Sequence, residues 1–187
     1  MTLTPCSKNP PPQEPLVSSQ GTAATPVARP DESGYEGAMA REKPFWETKK
    51  LSEMTGKEWE SLCDGCGRCC IYVLHNEETD EVFETDVACR LFDIAKRRCS
   101  DYANRLKHVK DCVQLTPDNV GTLSWMPPTC AYRRLAEGKK LLSWHPLITG
   151  DKKSVERAKA CVSSDLISET EFEITDALLE SRIVRER

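Results

Sequence analysis

Clustered cysteines are the residues of this chain whose chemistry is easiest to define. Cys63, Cys66, Cys69 and Cys70 place four thiols within eight residues. Four more cysteines follow, so that eight lie within 68 residues: the later ones are Cys89, Cys99, Cys112 and Cys130. This density is typical of either a disulfide scaffold or a metal site. In a disulfide scaffold the cysteines would be oxidised and structural. In a metal site they would be thiolates, which bind both zinc and iron.

The expected compartment favours the metal site. Disulfides persist in oxidising compartments, whereas cytosolic thiols stay reduced. The first thirty residues contain no secretory signal, with neither a basic start nor an apolar stretch before a cleavage site. No apolar run is long enough to cross a bilayer. We therefore expect a cytoplasmic protein with reduced, metal-binding thiols and no contact with a membrane.

The cysteine spacing is compatible with two kinds of centre. The C-x2-C-x2-C arrangement of Cys63, Cys66 and Cys69 is that of an iron–sulfur cube whose fourth ligand is a distant cysteine. The pair Cys63 and Cys66, joined by a distant pair, also suits tetrahedral zinc. Gly65 and Gly67 permit the positive φ angles that such a turn needs. Zinc, iron and an iron–sulfur cluster all remain open as cofactors, because thiolate suits each of them.

Cys70 does not fit the simple spacing. Adjacent side chains of an extended chain point apart, so we expect Cys69 and Cys70 not to share one mononuclear ion. Cys70 would then face a second centre or the core. His75, five residues after Cys70, is the histidine nearest to the cluster, and we expect it to have a surface or capping role in preference to that of a metal ligand.

The composition divides the chain into a tail and a small domain. Residues 1–44 hold eight of the twelve prolines and few large aliphatic side chains, which predicts a disordered tail over 1–42. Met39, just before the globular part, is a candidate for the translation start. The metal-binding domain is expected over 43–150, and a helical C-terminal extension over 151–187. Aromatic residues make up only 6% of the chain, so we expect a core that depends on metal for stability.

The hydrophobic pattern predicts an α+β fold of short helices and one β-hairpin. Thr55 and Glu58 form a capping box that opens a helix leading to Cys63. Two β-prone segments, 71–74 and 82–87, flank a polar loop and predict the hairpin. Further helices are expected from Cys130 to Leu135, ended by Gly138, and in the C-terminal extension around Ile174, Leu178, Leu179 and Ile183.

Charge and motifs exclude several classes of function. The net charge is −4 with both signs interspersed, so there is no basic face for nucleic acid. No nucleophile elbow, phosphate loop or paired-carboxylate motif occurs, and we assign no catalytic residue. Two classes remain: a metal-binding protein, with a structural or metal-handling centre and a protein partner of unknown kind, or an iron–sulfur protein with a redox or catalytic role.

The cysteine motif resembles a known family, the CxxCxxCC zinc- or iron-chelating domain, and in particular its bacterial YcgN-like branch. The resemblance covers roughly residues 43–150. It rests on the eight-residue motif 63–70 and on the segments 43–48, 87–93, 98–102, 111–112, 115–117, 125–133 and 144–147. It implies chelation of zinc or iron and implies no activity.

The predicted metal ligands combine the motif with the later cysteines. Three thiolates come from the motif, and the fourth from a later cysteine. The candidate set is Cys63, Cys66, Cys69, Cys70, Cys89, Cys99 and Cys112. In the broader family an Arg-Pro pair precedes the last of these positions, and Cys112 lacks that pair. Cys130 lies in a segment that only the YcgN-like branch shares, and its role stays open.

Overall fold

The computed structural model describes residues 3–5 and 43–187, and the helices in this part of the chain are short. The α-helices are α1 (Phe45–Thr48), α2 (Gly56–Ser61), α3 (Arg105–His108), α4 (Ala131–Ala136), α5 (Pro146–Thr149), α6 (Ser154–Arg157) and α7 (Asp176–Ser181). Single turns of 3-10 helix occur at Leu51–Glu53, Val120–Thr122 and Glu169–Glu171. Among the described residues, no helix is both long and apolar enough to cross a membrane.

The strands form one main sheet and a small two-stranded ladder. The strands are β1 (Leu3–Pro5), β2 (Ile71–Asn76), β3 (Val82–Ala88), β4 (Phe92–Asp93), β5 (Arg98–Cys99), β6 (Ile167–Ser168) and β7 (Ile183–Glu186). The main sheet has the order β1-β2-β3-β6, and β7 also pairs with β3. The pairing of β3 with β6 is parallel, and its pairings with β2 and β7 are antiparallel. Short helices together with a mixed sheet confirm the predicted α+β class.

The predicted hairpin is present as β2 and β3. Val73 lies opposite Glu84, and Leu74 lies opposite Phe83. Val73 belongs to the largest apolar cluster, whereas Leu74 packs with Val87 and Leu179 in a separate one. Because successive side chains of a strand point to opposite faces, the hairpin separates two apolar layers. Its first residue follows Cys70 directly, so the hairpin fixes one end of the cysteine motif.

Helix α2 fixes the other end of the motif. The Thr55 hydroxyl accepts a hydrogen bond from the Glu58 amide, and the Glu58 carboxylate accepts one from the Thr55 amide. This reciprocal pair is the predicted capping box. Leu62 follows the helix and is fully buried in the largest cluster. The capped helix and the buried Leu62 therefore fix the position of the backbone just before Cys63.

Helix α4 also follows its prediction. Cys130 is its N-cap, and Gly138 lies just beyond its end with φ +69°. Ala131 and Tyr132 are buried and pack with Val120, Leu123, Trp125 and Met126 in the largest apolar cluster. This packing holds Cys130 close to the end of α2.

The C-terminal segment joins the sheet. We expected a helix that includes Ile183, but α7 ends at Ser181 and Ile183 begins β7, which pairs with β3. The predicted disordered tail falls outside the described residues, apart from β1. That strand pairs antiparallel with β2 and places Leu3 opposite Asn76.

Candidate metal centre

The cysteine motif forms an irregular turn between α2 and β2. Gly65 and Gly67 both have positive φ angles, +74° and +77°, as the sequence predicted. A Cβ at Gly67 would lie 2.6 Å from Phe92 Cζ and 2.9 Å from Val162 Cγ2. Glycine is therefore needed at position 67 for two reasons: its positive φ angle, and the lack of space for a Cβ beside Phe92 and Val162.

The turn and the chain segments around it enclose a cavity of about 160 Å³. All eight clustered cysteines line it: Cys63, Cys66, Cys69, Cys70, Cys89, Cys99, Cys112 and Cys130. The seven predicted ligands thus lie around one space. The eighth, Cys130, had no predicted role. Its position at the N-terminus of α4, after two prolines, carried no ligand spacing by which the sequence could have assigned it.

Cys69 and Cys70 lie closer together than expected. Their sulfur atoms are 3.9 Å apart, so the prediction that the two side chains point apart is wrong. The chain turns here instead of running extended, and the Cys70 amide donates to the Gly67 carbonyl at 2.9 Å. Two sulfurs bound to one tetrahedral zinc, each at about 2.3 Å, would be about 3.8 Å apart. The observed spacing therefore fits two ligands of one ion.

Burial favours the protonated form of three of the motif and wall thiols, Cys63, Cys66 and Cys130. Cys63 keeps some exposed surface, but burial by the surrounding protein, together with repulsion from a thiolate at Cys69, raises the pKa of Cys63 to about 12. Burial also raises the pKa of Cys130 to about 11, and the charge of Cys69 adds to this effect. The pKa of Cys66 is raised well above its usual value, first by burial and then by Asp64. A metal ion would have to displace these protons on binding.

Asp64 has an unpartnered atom at the cavity wall. Its Oδ1 accepts a hydrogen bond of 2.9 Å from the Cys66 amide. Its Oδ2 is buried and has no hydrogen-bond partner among the described residues. A buried carboxylate oxygen without a donor is costly unless a cation lies nearby. The donor set of this cavity, thiols with one such carboxylate, fits a thiophilic metal ion.

Aromatic side chains form part of the remaining wall. Trp59 and Tyr132 line the cavity with their ring centroids 4.7 Å apart, and the Tyr132 hydroxyl donates to the Trp59 carbonyl at 2.9 Å. Tyr102 and Trp125 also line it. An apolar wall lowers the local dielectric and strengthens any bond between an ion and a thiolate.

Histidine contributes little to this wall. His145 is buried, but its Nε2 lies 3.2 Å from the Leu62 carbonyl and its Nδ1 accepts from the Leu147 amide. Both ring nitrogens are thus engaged in holding the backbone. His75 lies on the hairpin, with its Nε2 2.7 Å from Asp80 Oδ1. None of the described residues that line the cavity is a histidine, so its potential metal donors are the cysteine thiols and carboxylates such as that of Asp64.

The eight cysteines line one cavity, but their sulfur atoms do not point toward a common ion position. Among the described residues, no three His, Cys, Asp or Glu side chains are already arranged to hold one metal ion. Binding would require thiol side chains to turn from the cavity wall toward a common point. Such a turn is small for Cys69 and Cys70, whose sulfurs already have the spacing of two ligands on one ion.

A family of known proteins shares the cysteine-rich segment of this chain. Residues 62–131 match the CxxCxxCC family model, whose description is "Putative zinc- or iron-chelating domain". This range contains all eight cysteines that line the cavity. No solved structure matches the chain.

Several bacterial proteins are similar over most of their length. A UPF0260 protein of Caulobacter sp. (strain K31) is 58% identical over 134 residues, which are 72% of this chain and 83% of that protein. One of Parvibaculum lavamentivorans is 52% identical over 143 residues, 76% of this chain and 92% of that protein. One of Mesorhizobium japonicum is 58% identical over 117 residues, 63% of this chain and 79% of that protein. At this identity and coverage, the chain belongs to the UPF0260 protein family.

Proposed function

We propose that this protein binds zinc or iron through the thiolates that line the cavity. The observation that supports this most strongly is that eight cysteines from separate parts of the chain line one space. Cys63, Cys66 and Cys69 would supply three ligands. Cys70 would share an ion with Cys69, because the spacing of their sulfurs matches two ligands on one tetrahedral centre.

The later cysteines would complete the coordination. Cys89 follows β3, Cys99 ends β5, Cys112 lies beyond α3, and Cys130 caps α4. A bound ion would tie these elements to the motif turn. The metal would then stabilise the fold, as metal does in small domains with few apolar contacts. Thiols at this density stay reduced in the cytoplasm, and we place the protein there.

A second candidate is an iron–sulfur protein. The motif has the C-x2-C-x2-C spacing of a cube, and its first three cysteines all line a cavity of about 160 Å³, which exceeds the needs of a single ion. Such a cluster would supply electron transfer or bind a substrate. Against this candidate, each iron of a cube takes one thiolate, whereas Cys69 and Cys70 are spaced for a single ion.

Metal analysis of anaerobically purified protein tests both candidates. We expect at least one equivalent of zinc or iron per chain. Colourless protein with zinc supports the simple thiolate site, and brown protein with broad visible absorption and acid-labile sulfide supports the cluster. Less than a tenth of an equivalent of either metal would overturn both.

A matched pair of cysteine variants tests the location. Cys66 lines the cavity, whereas Cys161 packs in the same apolar cluster as Cys66 but lies outside the lining. We expect Cys66→Ser to lower the metal content by at least half and to lower the melting temperature. Cys161→Ser should keep the metal. Full occupancy in Cys66→Ser, or equal loss in both variants, would mean that the metal lies elsewhere.

A further inference from the structure

Three charged side chains form a buried network behind the cysteine motif. The side chains of Arg68, Glu84 and Arg187 are each no more than 7% exposed. Arg68 Nε and Arg187 Nε both donate to Glu84 Oε1 at 2.7 Å. The network joins the motif, β3 and the residue after β7. The sequence offered no sign of it, because the three residues lie far apart along the chain.

The network holds the backbone that leads into the cavity. Arg187 Nη2 donates at 2.7 Å to the carbonyl of Arg68. This carbonyl belongs to the peptide group that links Arg68 to Cys69. Arg187 Nη1 donates to the carbonyl of Trp125, a residue of the cavity wall. Arg68 Nη1 is 3.3 Å from the hydroxyl of Thr129, the residue before Cys130. Two buried guanidinium groups are thus attached to the segments that carry Cys69 and Cys130.

The charges of the network do not cancel. Two guanidinium groups, which stay protonated in proteins, face one carboxylate. These three side chains together carry a net positive charge, which favours further negative charge nearby. Metal binding would supply that charge, because several thiolates around one divalent ion carry a net negative charge.

We propose that Arg187 is a positioning residue whose buried positive charge stabilises an anionic metal–thiolate centre at Cys69 and its neighbours. This inference rests on the proposed function, since it assumes that the cavity thiolates bind metal. Arg187 donates to the backbone before Cys69 and thereby holds the motif in place. Its charge offsets that of the thiolates, so the site favours a centre with net negative charge.

The test is the zinc affinity of the full-length protein, measured by competition with a chromophoric chelator. Arg187→Met removes the charge and leaves Arg68 paired with Glu84, so no buried carboxylate loses its last partner. We expect zinc to bind about tenfold more weakly. Arg187→Lys keeps the charge but loses the forked hydrogen bonds, and we expect it to retain most of the affinity.

Arg182→Met is the matched control. Arg182 also pairs with a β3 carboxylate, with its Nε 2.7 Å from Asp86 Oδ1, but neither residue lines the cavity. Its removal should leave the zinc affinity unchanged. If Arg187→Met is too unstable to purify, Arg187→Gln makes the same change in charge and keeps an amide donor for the Arg68 carbonyl.

The outcomes separate this inference from the proposed function. Wild-type affinity in folded Arg187→Met or Arg187→Gln, or an equal loss in Arg187→Lys, would overturn the role of the charge and leave the metal site standing. Equal loss in Arg182→Met would show a general effect of weakening β3. A wild-type protein that binds no zinc or iron would overturn the proposed function, and this inference with it.

Discussion

Gly67 illustrates how a single residue sets the shape of the cysteine turn. Its φ angle of +77° is rarely adopted by other residues, and Phe92 and Val162 lie where its side chain would begin. Gly65 has a similar angle of +74°, but a Cβ there would meet no atom within 4 Å. Alanine substitutions at the two positions therefore distinguish the cost of backbone strain, common to both, from the cost of side-chain overlap, which occurs at Gly67 alone.

We predict that Gly67→Ala is more destabilising than Gly65→Ala. The left-handed angle alone should cost about 1–2 kcal/mol in Gly65→Ala. Overlap with Phe92 and Val162 should raise the cost in Gly67→Ala to about 3–4 kcal/mol. Urea unfolding of the metal-loaded variants measures both values. Equal costs would show that Phe92 and Val162 move aside without penalty.

Glu169 connects three elements of the fold. It begins the last 3-10 turn, and its carboxylate is only 4% exposed. It accepts hydrogen bonds from the Tyr72 hydroxyl of β2 and, at 2.8 and 2.7 Å, from the amide and Nε of Arg90, which follows β3. Burial alone would raise the pKa of Glu169, but the hydrogen bonds from Tyr72 and Arg90 outweigh it and lower the pKa.

This lowered pKa predicts how stability depends on pH. A carboxyl group whose pKa is lower in the folded state stabilises the fold above its unfolded pKa, about 4.3, and loses that contribution as pH falls through the folded value. We expect Glu169→Gln to be about 1–2 kcal/mol less stable at pH 7 and to lose less stability below about pH 4.3 than wild type does.

Thermal unfolding between pH 7 and pH 3 measures this difference. Exposed Glu173→Gln, a few residues further along the chain, is the control and should follow the wild-type profile. Parallel profiles for wild type and Glu169→Gln would mean that the ionised carboxylate contributes nothing to the fold.

Regular secondary structure is distributed unevenly over the part of the chain that the structure describes. The sheet of β2, β3, β6 and β7 is held by backbone ladders and by its own apolar cluster. Between Cys89 and Cys130, by contrast, the regular structure is limited to β4, β5, α3 and one 3-10 turn. This second part carries four of the cavity cysteines, so a metal would add most where regular secondary structure is shortest.

We predict that metal removal destabilises the molecule unevenly. Structural zinc contributes about 10 kcal/mol or more in small domains, so chelation should lower the melting temperature by roughly 10 °C or more. Limited proteolysis of the chelated protein should cut first within 89–130 and spare the β2–β3 hairpin. Adding zinc or iron back should restore protection. An unchanged melting temperature after complete metal removal would show that the centre has no structural role.

Local interactions explain which features were predictable. The capping box of Thr55 and Glu58, the β2–β3 hairpin and the Gly138 stop of α4 each depend on residues a few positions apart. The turn glycines of the motif belong to the same class. At each of these features, residues close in sequence supply the hydrogen bonds or the backbone freedom. The local sequence is therefore sufficient to predict the feature.

Features that depend on distant contacts were not predictable. Ile183 has a helical pattern but pairs with Thr85 on β3 as a strand, because a free sheet edge satisfies its backbone. The approach of Cys69 to Cys70 follows from a turn that both α2 and β2 constrain. Cys130 reaches the cavity through the packing of Tyr132 on Trp59, and Arg187 reaches Arg68 across the sheet. Cysteine spacing thus predicted a thiol-rich site, whereas the full set of cysteines around the cavity and the charged groups behind it depended on long-range packing, which no local pattern encodes.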